Sequence, residues 1–134
     1  MRTHLIPKTT TRVEEATAPH INERIHQDMF RRIESYRDAD EARIRERLDE
    51  LEREWDMERT LEANASAVIL VTLALGKTVN KKWYAFPAMV AAFLFQHAVH
   101  GWCPPMPVFR RFGVRTAREI EEEKQALLAI LWER

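Results

Sequence analysis

Forty-seven consecutive residues, 63–109, carry no Asp, no Glu and no Arg, although 31% of this 134-residue chain is charged. The only formal charges in the stretch are Lys77, Lys81 and Lys82. An ionised side chain is costly in hydrocarbon, so a run of this kind predicts lipid as its surroundings. The overall balance of 21 basic and 21 acidic residues conceals the segregation. Residues 20–62 alone hold nine basic and fourteen acidic residues, a local net of −5. A single Cys rules out an intrachain disulfide framework and any Cys-rich zinc module. Basic residues outside the central run are interleaved with acidic ones, which leaves no electrostatic footprint for nucleic acid.

The central run divides into two spans. Residues 63–76 are uncharged, and as a helix they cover about 21 Å, less than the roughly 30 Å of a bilayer core. Snorkelling of Lys77 extends this first span to about 61–79. The second span, 83–103, has no formal charge, with Trp83 and Tyr84 at one end and Trp102 at the other, where aromatic rings favour the headgroup level. Only residues 77–82 join the two, which demands an antiparallel hairpin. Ala63, Ala67 and Ala74 on the first span and Ala88 and Ala92 on the second form small-residue faces through which helices approach closely. Gln96 and His97 add interhelical hydrogen-bonding groups. Eight arginines (Arg45, Arg47, Arg53 and Arg59 on one flank, Arg110, Arg111, Arg115 and Arg118 on the other) outnumber the three loop lysines. Both termini are therefore expected in the cytoplasm. The competing reading is a soluble bundle whose central helices are merely core.

The flanks read as helices in water. Residues 1–19, Thr-rich and without apolar periodicity, are expected to be a disordered tail or a loosely docked arm, and Leu5-Ile6 is too short an apolar run for a signal peptide. Ile21, Ile25, Met29, Ile33 and Tyr36 form one apolar stripe, and Asp40 is a candidate N-cap for the helix that follows. Ile44, Leu48, Leu51 and Trp55 make a narrow seam expected to serve self-association. No Pro or Gly occurs over 40–75, so that region is expected either as one helix or as two with a bend near Asn64. The 20–62 region is thus a cytoplasmic amphipathic extension. Pro104, Pro105 and Pro107 end the second span. Thr116 and Glu119 fit a capping box that opens a C-terminal amphipathic helix within 110–134. That helix carries Ile120, Leu127, Leu128, Leu131 and Trp132 on one side and Glu121 to Glu123 on its polar face.

The hairpin followed by Gly-Trp-Cys-Pro-Pro-Met-Pro-Val-Phe-Arg-Arg-Phe-Gly-Val-Arg-Thr (101–116) resembles a bacterial inner-membrane family of unknown function. That family also supplies the transmembrane hairpin of a membrane-anchored rhodanese of the YgaP type. Leu51-Glu52-Arg53-Glu54-Trp55-Asp56-Met57-Glu58-Arg59, leading into Leu61-Glu62-Ala63-Asn64, is similar to members with an N-terminal helical extension. The likeness covers about 40–120, with Gly101, Cys103 and Pro104 its most specific positions, while His100 stands where the family carries Gln. It implies a two-span, multi-pass protein of the bacterial inner membrane, without the rhodanese domain.

Chemistry-bearing residues are few. His97, His100 and Cys103 lie at i, i+3 and i+6, and imidazole and thiolate are ligands for zinc, copper or haem iron. Cys103 near Arg110 and Arg111 is also a candidate reactive thiol that works with a sulfurtransferase. No Gly-rich phosphate loop or catalytic Ser/His/Asp order is present. The sequence therefore predicts an all-α, non-enzymatic membrane anchor or interaction module with no cofactor, self-associating or bound to a membrane-protein partner. The alternative is a redox or sulfur-linked membrane component that uses Cys103, with metal or haem at His97 and His100.

Overall fold

Asp and Thr side chains at three points decide where the helices start. Asp40 accepts a hydrogen bond from the Arg43 amide at 3.0 Å, Asp56 from the Arg59 amide at 2.8 Å, and Thr116 from the Glu119 amide at 3.2 Å. Each cap satisfies an amide that the first helical turn would leave orphaned. The computed structural model describes residues 6–134, and within them it has seven α-helices and no strand. They are α1 (Arg12–Glu15), α2 (Pro19–Ser35), α3 (Glu41–Arg53), α4 (Met57–Thr78), α5 (Ala85–His100), α6 (Met106–Arg111) and α7 (Ala117–Trp132). A 3₁₀ turn, Lys81–Tyr84, joins α4 to α5.

One half of the molecule is a bundle of α2, α3 and α7. Ile21, Ile25, Met29 and Ile33 are all buried, as their spacing predicts, while Phe30 stays exposed. Met29 and Ile33 meet Ile44 and Leu51 of α3 and Ile120, Leu127 and Ile130 of α7 in one core. Full burial of such side chains stabilises by roughly 1.5–3 kcal/mol each. This arrangement corrects the self-association seam. Ile44 and Leu51 are consumed inside the chain, Leu48 packs against the same core, and only Trp55 is exposed. The chain supplies its own partner for the seam in α7, so Ile44 and Leu51 are not free to meet a second copy.

The helix over 40–75 breaks at 54–56, some eight residues before Asn64. The Asp56 cap starts α4 there, and the Met57 amide donates to the Arg115 carbonyl at 2.8 Å. A cap combined with a long-range backbone partner fixes the bend without Pro or Gly.

Beyond the bend, α4 and α5 pack side by side as a hairpin. Of the two, α4 is long and apolar enough to cross a membrane, and at 22 residues it covers about 33 Å. The 16 residues of α5 do not meet the same length by themselves. The helix-contact expectation also needs correction. Ala67, Ala74, Ala88 and Ala92 are exposed, and Ala63 and Gln96 are only half-buried. Contact runs instead through Leu61, Thr72 and Gly76, which are buried on α4. A Cβ on Gly76 would stand 2.7 Å from the Tyr84 ring, so the missing side chain is what lets that ring close onto the helix.

The expected tail is seated where the structure describes it. Val13 and Thr17 are buried, and Val13 joins Met57, Leu61, Cys103 and Met106 in a second core at the end of the hairpin. Residues 1–5, and the signal-peptide reading that rests on Leu5, lie outside the described residues. Composition misled here because Thr17 turns its hydroxyl back to the Val13 carbonyl, at 2.6 Å, and so buries without a lost hydrogen bond.

Gly101 caps α5 at φ +80°, and a Cβ there would sit 2.5 Å from the Arg12 carbonyl. Gly113 has φ +89° with nothing within 4 Å. Gly113→Ala is therefore expected to cost only the left-handed backbone penalty, about 1–2 kcal/mol. Gly101→Ala should cost distinctly more and free the Arg12 segment. Thermal unfolding followed by circular dichroism, with trypsin cleavage at Arg12, checks the difference.

Candidate functional site

Two buried polar constellations lie where the bundle meets the hairpin. The first centres on Arg110 of α6, whose side chain is fully buried, and Glu119 of α7, buried likewise. The five N–H donors of the guanidinium find acceptors on Thr17, Asn22, the Val114 carbonyl and both oxygens of Glu119. Glu119 further accepts the Thr116 amide at 2.9 Å, closing the capping box, and lies 3.2 Å from His26 Nε2. Glu123, one turn on, meets Arg32 at 2.8 Å, Arg47 at 2.9 Å and Arg115 at 3.4 Å. Arg115 also holds Glu54 at 2.6 Å. Glu123 is thus buried among arginines from three directions, while Glu121 and Glu122 on the same polar face stay exposed. Two carboxylates on α7 gather α2, α3, α6 and the loop before α7.

Burial by itself pushes both carboxyls up. At Glu119 the Arg110 and Thr116 hydrogen bonds overcome it, and at Glu123 the three arginines do, so both are held below the usual 4.5. Glu14 goes the other way, raised first by burial and then by the nearby Glu119 charge. Glu14, His26 and Glu119 bring ligand-type atoms within 4.8 Å of one another. Both Glu119 oxygens are already engaged by Arg110, so the geometry there is that of an ion-paired junction.

The second constellation sits at the hairpin end. His97 of α5 is 4% exposed, and its Nε2 lies 3.0 and 3.1 Å from the two carboxylate oxygens of Glu58 on α4. Arg12 pairs with the same carboxylate at 2.9 Å. With Nε2 engaged, Nδ1 is buried without a hydrogen-bond partner. The Cys103 thiol, 2% exposed, lies against this ring without closing a well-directed hydrogen bond. On its other side Cys103 lines an apolar cavity of about 260 Å³ between α4, α5 and α6, walled by Val68, Val90, Phe93 and Leu94.

Of the three residues singled out from spacing, His97 and Cys103 come together and His100 does not. Gly101 turns the chain after His100, which stays exposed. Arg12 and Glu58 were not foreseen as partners of His97. Glu58 is one of fourteen acidic residues in its region, and nothing local marks it. No family model, curated protein or solved structure matches the chain.

The lowered carboxyls of Glu119 and Glu123 contribute stability that is complete above pH 4.5 and disappears as the pH falls through their lowered values. Glu14, being raised, works in the opposite sense and offsets part of this loss. Glu119→Gln should cost about 3–5 kcal/mol at neutral pH, because it strands the buried Arg110 charge. It should also flatten the loss of stability below pH 4.5. Denaturant unfolding of the detergent-solubilised chain from pH 7 to pH 3 measures both effects.

Proposed function

We propose that the chain is a helical module anchored in the bacterial inner membrane, its hairpin in lipid and its α2–α3–α7 bundle in the cytoplasm. One observation carries the reading. Only 17% of the apolar window of α4 is buried inside the structure, and Leu70, Val71, Phe86, Met89 and Phe95 are exposed on the hairpin. Uncovered apolar side chains in such a contiguous area call for a membrane or a protein surface. The core helix of a soluble bundle would be mostly covered, so the exposure argues against that alternative.

A two-span arrangement is supported by length as well. Trp83 and Tyr84, the uncharged end of the 3₁₀ turn, rise about 2.0 Å per residue and α5 about 1.5 Å, which together give a helical run of about 28 Å. That matches a hydrocarbon core of roughly 30 Å. Trp102, Val108 and Phe112, all exposed, then form an interfacial belt at the bundle end. The eight flanking arginines favour the cytoplasm for both termini. The module works by association rather than by catalysis. With Ile44 and Leu51 internal, self-association or a membrane-protein partner falls to the hairpin, whose outward-facing Ala67, Ala74, Ala88 and Ala92 let another helix come close. A likeness to the rhodanese-linked hairpins fits this reading. A second reading, a sulfur-linked component served by a sulfurtransferase, is favoured by the juxtaposition of Cys103 with His97 and does without His100.

Alkaline carbonate washing should leave the protein in the membrane pellet, and release into the supernatant would overturn the membrane placement. In a Cys103→Ser background, Asn80→Cys should react with an impermeant maleimide from the periplasmic side of spheroplasts. Reaction of Asn80→Cys only after lysis would overturn the placement of the loop outside and of both termini in the cytoplasm.

A further inference from the structure

The Cys103 thiol is unusual in its surroundings. It touches no water, yet it faces an apolar cavity on one side and a buried imidazole on the other. The cavity of about 260 Å³ is well above the ~150 Å³ in which an apolar protein cavity accepts benzene. Its walls are Val68, Val90, Phe93 and Leu94 with Phe109 at one end, a lining suited to an alkyl chain and to nothing charged. The imidazole is pre-set. Glu58 takes Nε2, which leaves Nδ1, buried without a hydrogen-bond partner, as the ring nitrogen free to exchange a proton with the sulfur.

We propose that Cys103 is a capture site for lipophilic electrophiles, specifically medium- and long-chain α,β-unsaturated aldehydes and ketones that dissolve in the bilayer. The alkyl tail occupies the cavity between α4 and α5, and the unsaturated head lies at the thiol. Cys103 Sγ bonds to the β-carbon while the carbon–carbon π pair moves toward the carbonyl, forming an enolate. The thiol proton passes to His97 Nδ1 and returns to the α-carbon. All atoms of both reactants remain in the thioether adduct, no group leaves, and no external oxidant or reductant is consumed. Cys103 and His97 touch the reacting atoms. Glu58 acts through His97 and is a positioning residue, with Arg12 holding its carboxylate in turn. The inference rests on the membrane placement proposed above, because it assigns entry to the hydrocarbon side.

The test uses the full chain in lipid nanodiscs, with trans-2-nonenal as probe and acrolein, the same head without a tail, as its comparison. Rates of single-adduct formation are read by intact-protein mass spectrometry and divided by the rate of each reagent with glutathione. Nonenal should exceed acrolein about tenfold on this scale, and Cys103→Ser should abolish both adducts. Val90→Phe and Val68→Phe, one on each wall, should remove the preference for nonenal and leave acrolein unchanged. His97→Gln should slow both reagents about tenfold or more, as expected when a general base is lost. Glu58→Gln should slow both and move the pH profile of the reaction. Equal normalised rates for nonenal and acrolein, or rates indifferent to both cavity fillings and to His97→Gln, would overturn the proposal. Circular dichroism confirms that each variant scored is folded, and either wall variant suffices. If carbonate washing releases the protein while nonenal still prefers Cys103, the membrane placement fails and the thiol site stands.

Discussion

The Arg110–Glu119 pair is the point on which the architecture turns. Two charges with no exposed surface are tolerable only when every donor and acceptor is matched, because desolvation of an ion pair commonly outweighs its attraction. Here the matching draws on the turn after α1, on α2 and on the loop that caps α7 at once, through Thr17, Asn22, the Val114 carbonyl and the Thr116 amide. A pair of this kind is a condition of assembly more than a source of stability. It forms only when four helices arrive in register, and each of them arrives for a different reason. The apolar stripe brings α2, the capping box orients α7, three prolines turn the chain into α6, and Thr17 closes α1.

That layer also separates two kinds of surface. Below it, the bundle obeys the rules of a water-soluble core, with its apolar stripe inside and Glu–Arg pairs such as Glu41–Arg45 outside. Above it, the hairpin inverts the rule and presents Leu70, Val71 and Phe95 outward. The polar side chains within the hairpin turn inward or onto their own backbone, as when the Thr72 hydroxyl donates to the Val68 carbonyl at 2.6 Å. His97 and Glu58 stand at the border and satisfy each other across α4 and α5.

What could be read beforehand followed from local periodicity and capping. The stripe from Ile21 to Ile33, the Asp40 cap, the Thr116–Glu119 box and the proline turn all depend on residues within a few positions of one another. The errors arose wherever the deciding partner was remote in sequence. The Ile44–Leu51 seam looked available because its mate, Leu127, lies more than seventy residues away. Alanine spacing pointed to the wrong hairpin face because a single ring, Tyr84, selects Gly76. Cys103 and His97 could be paired from their spacing, but Glu58 and Arg12 could not, since one carboxylate among many carries no mark of being buried. The choice between a disordered tail and a docked arm stayed open for the same reason, as the groove at Gly101, the second core and Glu58 that seat the Arg12 segment are all distant in sequence.

That seat has a consequence for biogenesis. The ribosome releases the Arg12 turn almost ninety residues before Gly101, the position whose bare backbone receives it. Between the two lie both helices of the apolar hairpin. The Arg12 segment is therefore made well before its seat, and its docking requires that both halves of the polypeptide have reached their places. A nascent chain stalled before that step would expose Val13, Met57 and Met106 together, the kind of surface that quality-control proteases and chaperones recognise.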